Sequence, residues 1–257
     1  MKVQVYVEGP SDRVALEALL APIIAAGKKN GVGIRFLPLG GKAAVLSRTW
    51  MNAADDLLRE PGDWAFALPD LYPMSEYDGG AYAHRSPVEL ARVLQAHFQK
   101  RADKISVGQE ARSHFRVHCL KHDLEALLLA APDALKRRLG TIDGLHGRWR
   151  LPVENQNDAR PPKRVVEELF RHYRKKARYQ ETVDALWIVQ KASLDGIVAG
   201  CPQCFAPFVR ELRALAEGRD PDAPAGGKDR QVKPEDVHED VPAAPEEHER
   251  GADGEQG

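Results

Sequence analysis

Apolar and polar residues alternate at the start of the chain, Val3, Val5 and Val7 being separated by Gln4 and Tyr6. This period of two marks a β-strand with one face in a core. The strand runs into Glu8-Gly9-Pro10-Ser11-Asp12, and Ser11-Asp12 open a helix. That helix is predicted over residues 12–26, with Val14, Leu16, Leu19, Leu20 and Ile23 on its buried face. A second strand near 33–37 leads to the Gly40-Gly41-Lys42 turn, and a helix over 43–59 ends before Pro61-Gly62. A third strand over 64–68 arrives at Pro69-Asp70. Residues 70–86, rich in Tyr, Gly, Pro and Asp, read as a long loop, a length uncommon unless functional.

Helix returns over 87–101, residues 114–120 alternate as a fourth strand, and another helix begins within 123–131. Beyond Gly140 the pattern turns more polar and helical, through 163–176, 193–198 and 202–216. Strands alternating with helices imply βαβ units and a mainly parallel sheet, so the predicted class is α/β. The expected division is an α/β domain over 1–132, a helical C-terminal part over 133–216 packed on it, and a tail over 217–257.

Charge sharpens this division. The chain of 257 residues has a net charge of -1, yet from Glu217 onward thirteen acidic residues face five basic ones. The part before the tail therefore carries +7, a sign that suits a polyanionic partner. The tail has three large apolar residues, Val232, Val237 and Val241, and no aromatic. Such a segment does not offset the entropy of folding and is expected to be disordered. It reads either as a plain flexible tail or as an acidic mimic shielding the basic surface. There is no run of about eighteen apolar residues for a membrane span, and no signal-peptide design at the N-terminus. Three cysteines do not suggest a disulfide framework, so a cytoplasmic protein is expected.

Candidate chemistry lies where strands end. Glu8 follows the first strand, Asp70 the third, and Asp123 and Glu125 the fourth. If these strands are neighbours, their acids converge on one negative patch, which repels itself unless a cation fills it or some members protonate. Mg²⁺ takes one or two carboxylates and keeps several waters; Glu8 with Asp70 suffices for one ion, and Asp12 or Glu125 helps hold another. Such a pair of ions clamps the attacking and leaving oxygens of a phosphodiester. Structural readings stand beside these. Asp12 suits the first turn of a helix dipole, and Glu125 pairs equally well with Lys121 in solvent. Lys42, after two glycines, meets either a phosphate or nothing more than a turn; the spacing is not that of a P-loop.

Between residues 160 and 179, Arg160, Lys163, Arg164, Arg171, Arg174, Lys175, Lys176 and Arg178 stand among Phe170, Tyr173 and Tyr179. Arg164, Arg171, Lys175 and Arg178 share one broad face if the helix is continuous. This is either a nucleic-acid surface or a solvated face diluted by Glu167 and Glu168; Phe170 reads as core. Lys136-Arg137-Arg138 with Arg148 and Arg150 extends the basic surface. His118 and His122 flank Cys119 without the geometry of a zinc site, and Cys201-Pro202-Gln203-Cys204 has no second ligand pair, so helix-start packing is its better reading.

Val7-Glu8-Gly9-Pro10-Ser11-Asp12, then Gly40-Gly41-Lys42, then Leu68-Pro69-Asp70-Leu71-Tyr72-Pro73 resemble a TOPRIM domain, the metal-dependent fold of topoisomerases, primases and OLD nucleases. More narrowly, the chain resembles the TOPRIM-like family of unknown function number 4276. That resemblance continues through His122-Asp123-Leu124-Glu125-Ala126-Leu127-Leu128-Leu129, Pro161-Pro162-Lys163-Arg164 and Cys201-Pro202-Gln203-Cys204-Phe205. It implies a Rossmannoid sheet with a helical C-terminal elaboration, Glu8 as metal ligand or general base, and Asp70 as the first acid of an Asp-x-Asp motif. Tyr72 stands where the second acid belongs, as is usual for the narrower family; it reads as a phosphate or water contact or as a half-buried loop aromatic.

The resemblance implies a Mg²⁺- or Mn²⁺-dependent nuclease acting on RNA such as tRNA, or on DNA, with Lys42 neutralising phosphate charge. It further implies a toxic effector in anti-phage defence, as in the PARIS system, controlled by an ABC-type ATPase encoded nearby. Expected partners are nucleic acid and that ATPase, with a homodimer allowed. The alternative is a catalytically silent module that binds the ATPase or nucleic acid.

Overall fold

A computed structural model describes residues 1–72, 74, 77–145, 149–175 and 178–223. The acidic tail from residue 224 onward, together with Lys176 and Arg148 of the basic runs, lies outside the described residues. Within them, four strands form one parallel sheet: β1 (Lys2–Val7), β2 (Gly33–Pro38), β3 (Trp64–Ala67) and β4 (Phe115–Val117). Their spatial order is β2-β1-β3-β4, so the direction of winding reverses between β1 and β3. A crevice at the carboxyl ends of such a pair is where open α/β sheets bind ligands.

The period of two sorts the strand side chains. Val3, Val5 and Val7 join one core with Ile34, Phe36, Trp64 and Phe66, while Tyr6, Ala65, Ala67 and Phe115 join a second core on the opposite face. Helices α3 (Lys42–Arg59) and α4 (Pro87–Ile105) cover the second core through Leu46, Leu57, Leu90, Leu94 and Phe98. The four-residue α5 (Gln109–Arg112) supplies Ala111 there. The first core lies under α1 (Pro10–Leu19) and α2 (Ala21–Lys29). It continues under α6 (Glu125–Leu129), α7 (Pro132–Leu139), α8 (Pro162–Tyr173), α9 (Leu186–Lys191), α10 (Leu194–Gly200) and α11 (Phe205–Ala216). No helix among the described residues is long and apolar enough to cross a membrane.

The helix expected over 12–26 is two helices. Pro22, at the start of α2, has no N–H to continue the first ladder, so the chain breaks at Leu20. Leu16, Leu19, Leu20 and Ile23 are buried as expected, whereas Val14, two positions before Leu16 and so on the far side of the helix, is exposed. The fourth strand is shorter than residues 114–120, but parallel pairing resumes at a bridge between Asp70 and Leu120. That bridge carries the chain after β4 alongside the chain after β3.

Candidate active site at the carboxyl edge of the sheet

Glu8 leaves the end of β1 and Asp70 the end of β3, the two strands that flank the reversal. The peptide N–H of Asp70 donates to Glu8 Oε1 at 2.9 Å, which ties the two strand ends together. The Glu8 carbonyl accepts from Gly40 N–H at 2.9 Å and Gly41 N–H at 2.8 Å. This tight loop needs φ of +92° at Gly40 and +110° at Gly41, a region that glycine enters without a Cβ penalty. It aims the Lys42 peptide N–H at the Glu8 carboxylate.

Burial pushes the Glu8 carboxyl up to about 7, with the Asp12 charge adding to it and the Asp70 N–H and Lys42 opposing it. Asp70 is raised well above the usual carboxylate range by burial and then by Glu8, Asp12, Asp123 and Glu125. Asp12 is the third helical residue of α1, and its Oδ2 accepts from Gly9 N–H at 2.8 Å in a capping box. Its helix-start reading is thus realised, yet it still feels the acids around it.

Behind this pair, Asp123 and Glu125 belong to the turn that opens α6. Burial raises Asp123 to about 6 and Glu125 to about 8, the latter with help from Asp123. Glu125 is 1% exposed, so the solvated pairing with Lys121 does not form; Lys121 Nζ instead donates to Gln203 at 2.8 Å. The Tyr179 hydroxyl faces Glu125. Even so, Glu125 Oε1, Asp123 Oδ1 and the Tyr179 hydroxyl are buried with no partner in hydrogen-bond geometry. Buried polar atoms without partners are costly. Such a set is what an incoming cation or donor would satisfy.

Two residues of this neighbourhood were not among the expected acids. Lys163, at the start of α8, donates its N–H to Asp123 Oδ2 at 3.2 Å and its ammonium to Glu181 at 2.9 Å. Glu181 comes from a π-helical turn, Glu181–Ala185. Lys163 was visible in sequence only as part of a basic run, and nothing local to Glu181 marks it. Among the described residues, no three His, Cys, Asp or Glu side chains stand close enough to form a ready cage for a metal ion.

Lys42 departs from expectation. It is 9% exposed, donates to the Leu71 carbonyl at 2.7 Å and lies over the Tyr77 ring at 5.1 Å. Its ammonium therefore anchors the 70–86 loop and biases Glu8 electrostatically, in place of reaching a phosphate in solvent. Tyr72 is half-buried and stacks on the buried His122 ring, with centroids 4.9 Å apart and planes 14° apart.

The basic run also divides. Helix α8 ends at Tyr173, so Lys175 and Arg178 are exposed beyond the helix and do not continue the face of Arg164 and Arg171. Arg174 is half-buried and donates to the Arg138 carbonyl at 3.0 Å. Phe170 is core, as read from sequence. Cys201 and Cys204 are buried at the start of α11, where the Glu154 carboxylate accepts from the N–H groups of Gln203, Cys204 and Phe205.

Three depressions line this edge of the molecule. One of about 550 Å³ lies among Tyr72, Lys121, Arg150 and Gln156, and one of about 210 Å³ among Tyr72, His122, Asp123, Asp158 and Pro161. The third, of about 420 Å³, is bordered by Asp123, Pro161, Lys163, Arg164 and Arg171. Shared walls at Tyr72 and at Asp123 with Pro161 make them neighbours along one groove. The sequence profile of a domain of unknown function, DUF4276, matches residues 7–213, a span that holds every one of these groups. The chain belongs to the DUF4276 family. No curated protein and no solved structure matches it. For this DUF4276 member, the acids at the sheet edge and the groove beside them define the candidate site.

Proposed function

We propose that this DUF4276 protein is a TOPRIM-like, Mg²⁺- or Mn²⁺-dependent phosphodiesterase that cuts RNA, such as tRNA, or DNA. The observation that carries this reading is the set of carboxyls raised chiefly by burial, Glu8, Asp70, Asp123 and Glu125, gathered at the carboxyl ends of β1, β3 and β4, with Asp70 feeling the charge of the other three. Perturbed acids in a cleft at a sheet's switch point are the pattern of a functional centre. The unpartnered oxygens of Asp123 and Glu125 fit a cation. Mg²⁺ takes one or two carboxylates and draws its other ligands from waters and substrate phosphate.

Glu8 and Asp70 would hold the ion, with Asp12, Asp123 and Glu125 around it. When bound, the ion neutralises charge on the phosphoryl oxygens. Glu8, at about 7, also has the proton affinity of a general base near neutral pH, since the ideal catalytic pKa lies close to the working pH. Lys42 acts as a positioning residue that keeps the 70–86 loop against Glu8. Exposed Arg171, Lys175 and Arg178, with Arg164, would track the phosphate backbone. The biological setting that fits is a toxic effector in anti-phage defence, held in check by an ABC-type ATPase.

A second reading, a silent module that binds the ATPase or nucleic acid, is favoured by the inward-turned Lys42 ammonium. The two separate on cleavage. Labelled tRNA and single- and double-stranded DNA should be cut by the purified chain in Mn²⁺, and not in EDTA. Glu8→Ala and Asp70→Ala should each lower the rate by at least about a hundredfold, the scale of losing a catalytic base. Cleavage that ignores both substitutions, or that never occurs after the ATPase is removed, leaves the silent module.

A further inference from the structure

The cavity of about 210 Å³ beside the acids is unlike the rest of the groove. Its walls are the Tyr72 and His122 rings, Pro161, and two carboxylates, Asp123 and Asp158. It is smaller than the roughly 300–1,000 Å³ of sites for drug-sized ligands, and suits one planar ring system. Tyr72 and His122 form a near-parallel stack at its side. His122 is 2% exposed, and its ring nitrogens lie against the backbone of Glu154 and Gln156.

Asp158 is exposed; its carboxylate accepts from the Tyr72 hydroxyl, which leaves its remaining lone pairs open, and it acts electrostatically on His122. A carboxylate is out of place as a phosphate contact. It is well placed to accept hydrogen bonds from a base edge. The depressions on either side hold cations: Lys121 and Arg150 beside the buried Glu154 on one, and Lys163, Arg164 and Arg171 balanced by Asp123, Glu167 and Glu168 on the other, where Arg164 pairs with Glu168 at 3.4 Å. A nucleotide with its base in the middle cavity would thus find a net positive lining for its phosphate on the Lys121–Arg150 side.

We propose that the Tyr72–His122–Asp158 cavity is a nucleobase subsite selective for guanine, adjoining the acidic centre through Asp123. Guanine presents two N–H donor groups side by side on its Watson–Crick edge, which match the two oxygens of the Asp158 carboxylate. Adenine and cytosine place an acceptor next to their single amine, and uracil flanks its one N–H with carbonyls, so each sets a lone pair against the carboxylate. Unpaired bases are commonly read this way, by stacking on aromatics and by hydrogen bonds to that edge. This assignment rests on the nuclease reading for its biological use, but the binding itself does not require cleavage.

The test is calorimetric titration of the full chain, in EDTA, with guanosine, adenosine, cytidine and uridine monophosphates. The guanine nucleotide should bind at least about tenfold more tightly than the other three, the scale of one charge-assisted hydrogen bond. Asp158→Asn, at an exposed position, should lose that preference while the melting temperature stays unchanged; Tyr72→Ala should weaken all four nucleotides together. Absence of guanine binding, equal affinity for all four, or an unaltered preference in Asp158→Asn overturns the proposal. If the guanine nucleotide binds while the wild-type chain cuts no polymer, the nuclease reading fails and the subsite stands. If Glu8→Ala abolishes cleavage but no guanine binds, only the subsite falls. A uridine decamer with one central guanosine separates the two sources of the base. Binding well above that of the mononucleotide identifies a strand, and equal binding identifies a free nucleotide; both keep the guanine assignment.

Discussion

Glu125 shows how far burial moves a single carboxyl. Its folded value is about 8 against an ordinary 4.5, with burial the first cause and Asp123 the second. Between those values the unfolded chain has released the proton and the folded chain retains it. The charge is therefore penalised in the fold as pH rises, and stability falls through that window. Glu125→Gln should consequently stabilise the metal-free protein by about 1 kcal/mol or more at pH 8.5 and by little at pH 4.5, the scale of a one-unit shift. Urea unfolding at the two pH values measures it. Lys42 makes the opposite case: Lys42→Met removes the donor to the Leu71 carbonyl and should cost about 2 kcal/mol, as for other buried charge-assisted bonds. The same denaturation assay reads this loss. Glu8 and Asp70 were legible in sequence because strand ends in a parallel sheet share one edge. The burial of Lys42 was not, since Gly40-Gly41-Lys42 gives no sign that the loop after β3 folds over it. Glu181 was hidden for the same reason; it meets Lys163 across eighteen residues.

Among the elements, those bounded by local chemistry followed the sequence, and those bounded by packing did not. Helix α4 begins at Pro87 after Ser86, whose side chain accepts from Glu89 N–H as a cap. By contrast, α8 stops at Tyr173 without a glycine or proline to mark it, and the basic face drawn on a longer helix breaks there. The start of α11 depends on a distant residue. Glu154, 2% exposed, accepts from Cys204 N–H at 2.7 Å and Phe205 N–H at 3.2 Å, and also from Gln203 N–H. Glu154→Ala should leave these donors buried and unpaired, a loss of about 3 kcal/mol. A fall in the urea midpoint without a change in slope identifies that loss as stability alone.

At the scale of the molecule, the sheet order β2-β1-β3-β4 gathers acids from three strand ends into one electrostatic unit. Glu8, Asp123 and Glu125 are raised to about 7, 6 and 8 from ordinary values of 4.5, 3.8 and 4.5. All three shifts share a sign, so the metal-free protein should lose stability steadily from about pH 4 to pH 8. Mn²⁺ should remove most of that slope, because a bound cation favours the charged forms. Differential scanning calorimetry across this range, with and without the ion, checks the linkage.

The most direct measurement is calorimetric titration of Mn²⁺ into the full chain at pH 7, repeated in buffers of different ionisation enthalpy. The wild-type protein should bind the ion and release protons as it does so, because Glu8 is about half protonated and Glu125 largely protonated there. Asp70→Asn combined with Glu8→Gln should abolish both the binding and the proton release. Binding that survives in the double variant, or a wild-type protein that takes up no ion, would contradict the assignment of this carboxylate cluster as a cation-dependent centre.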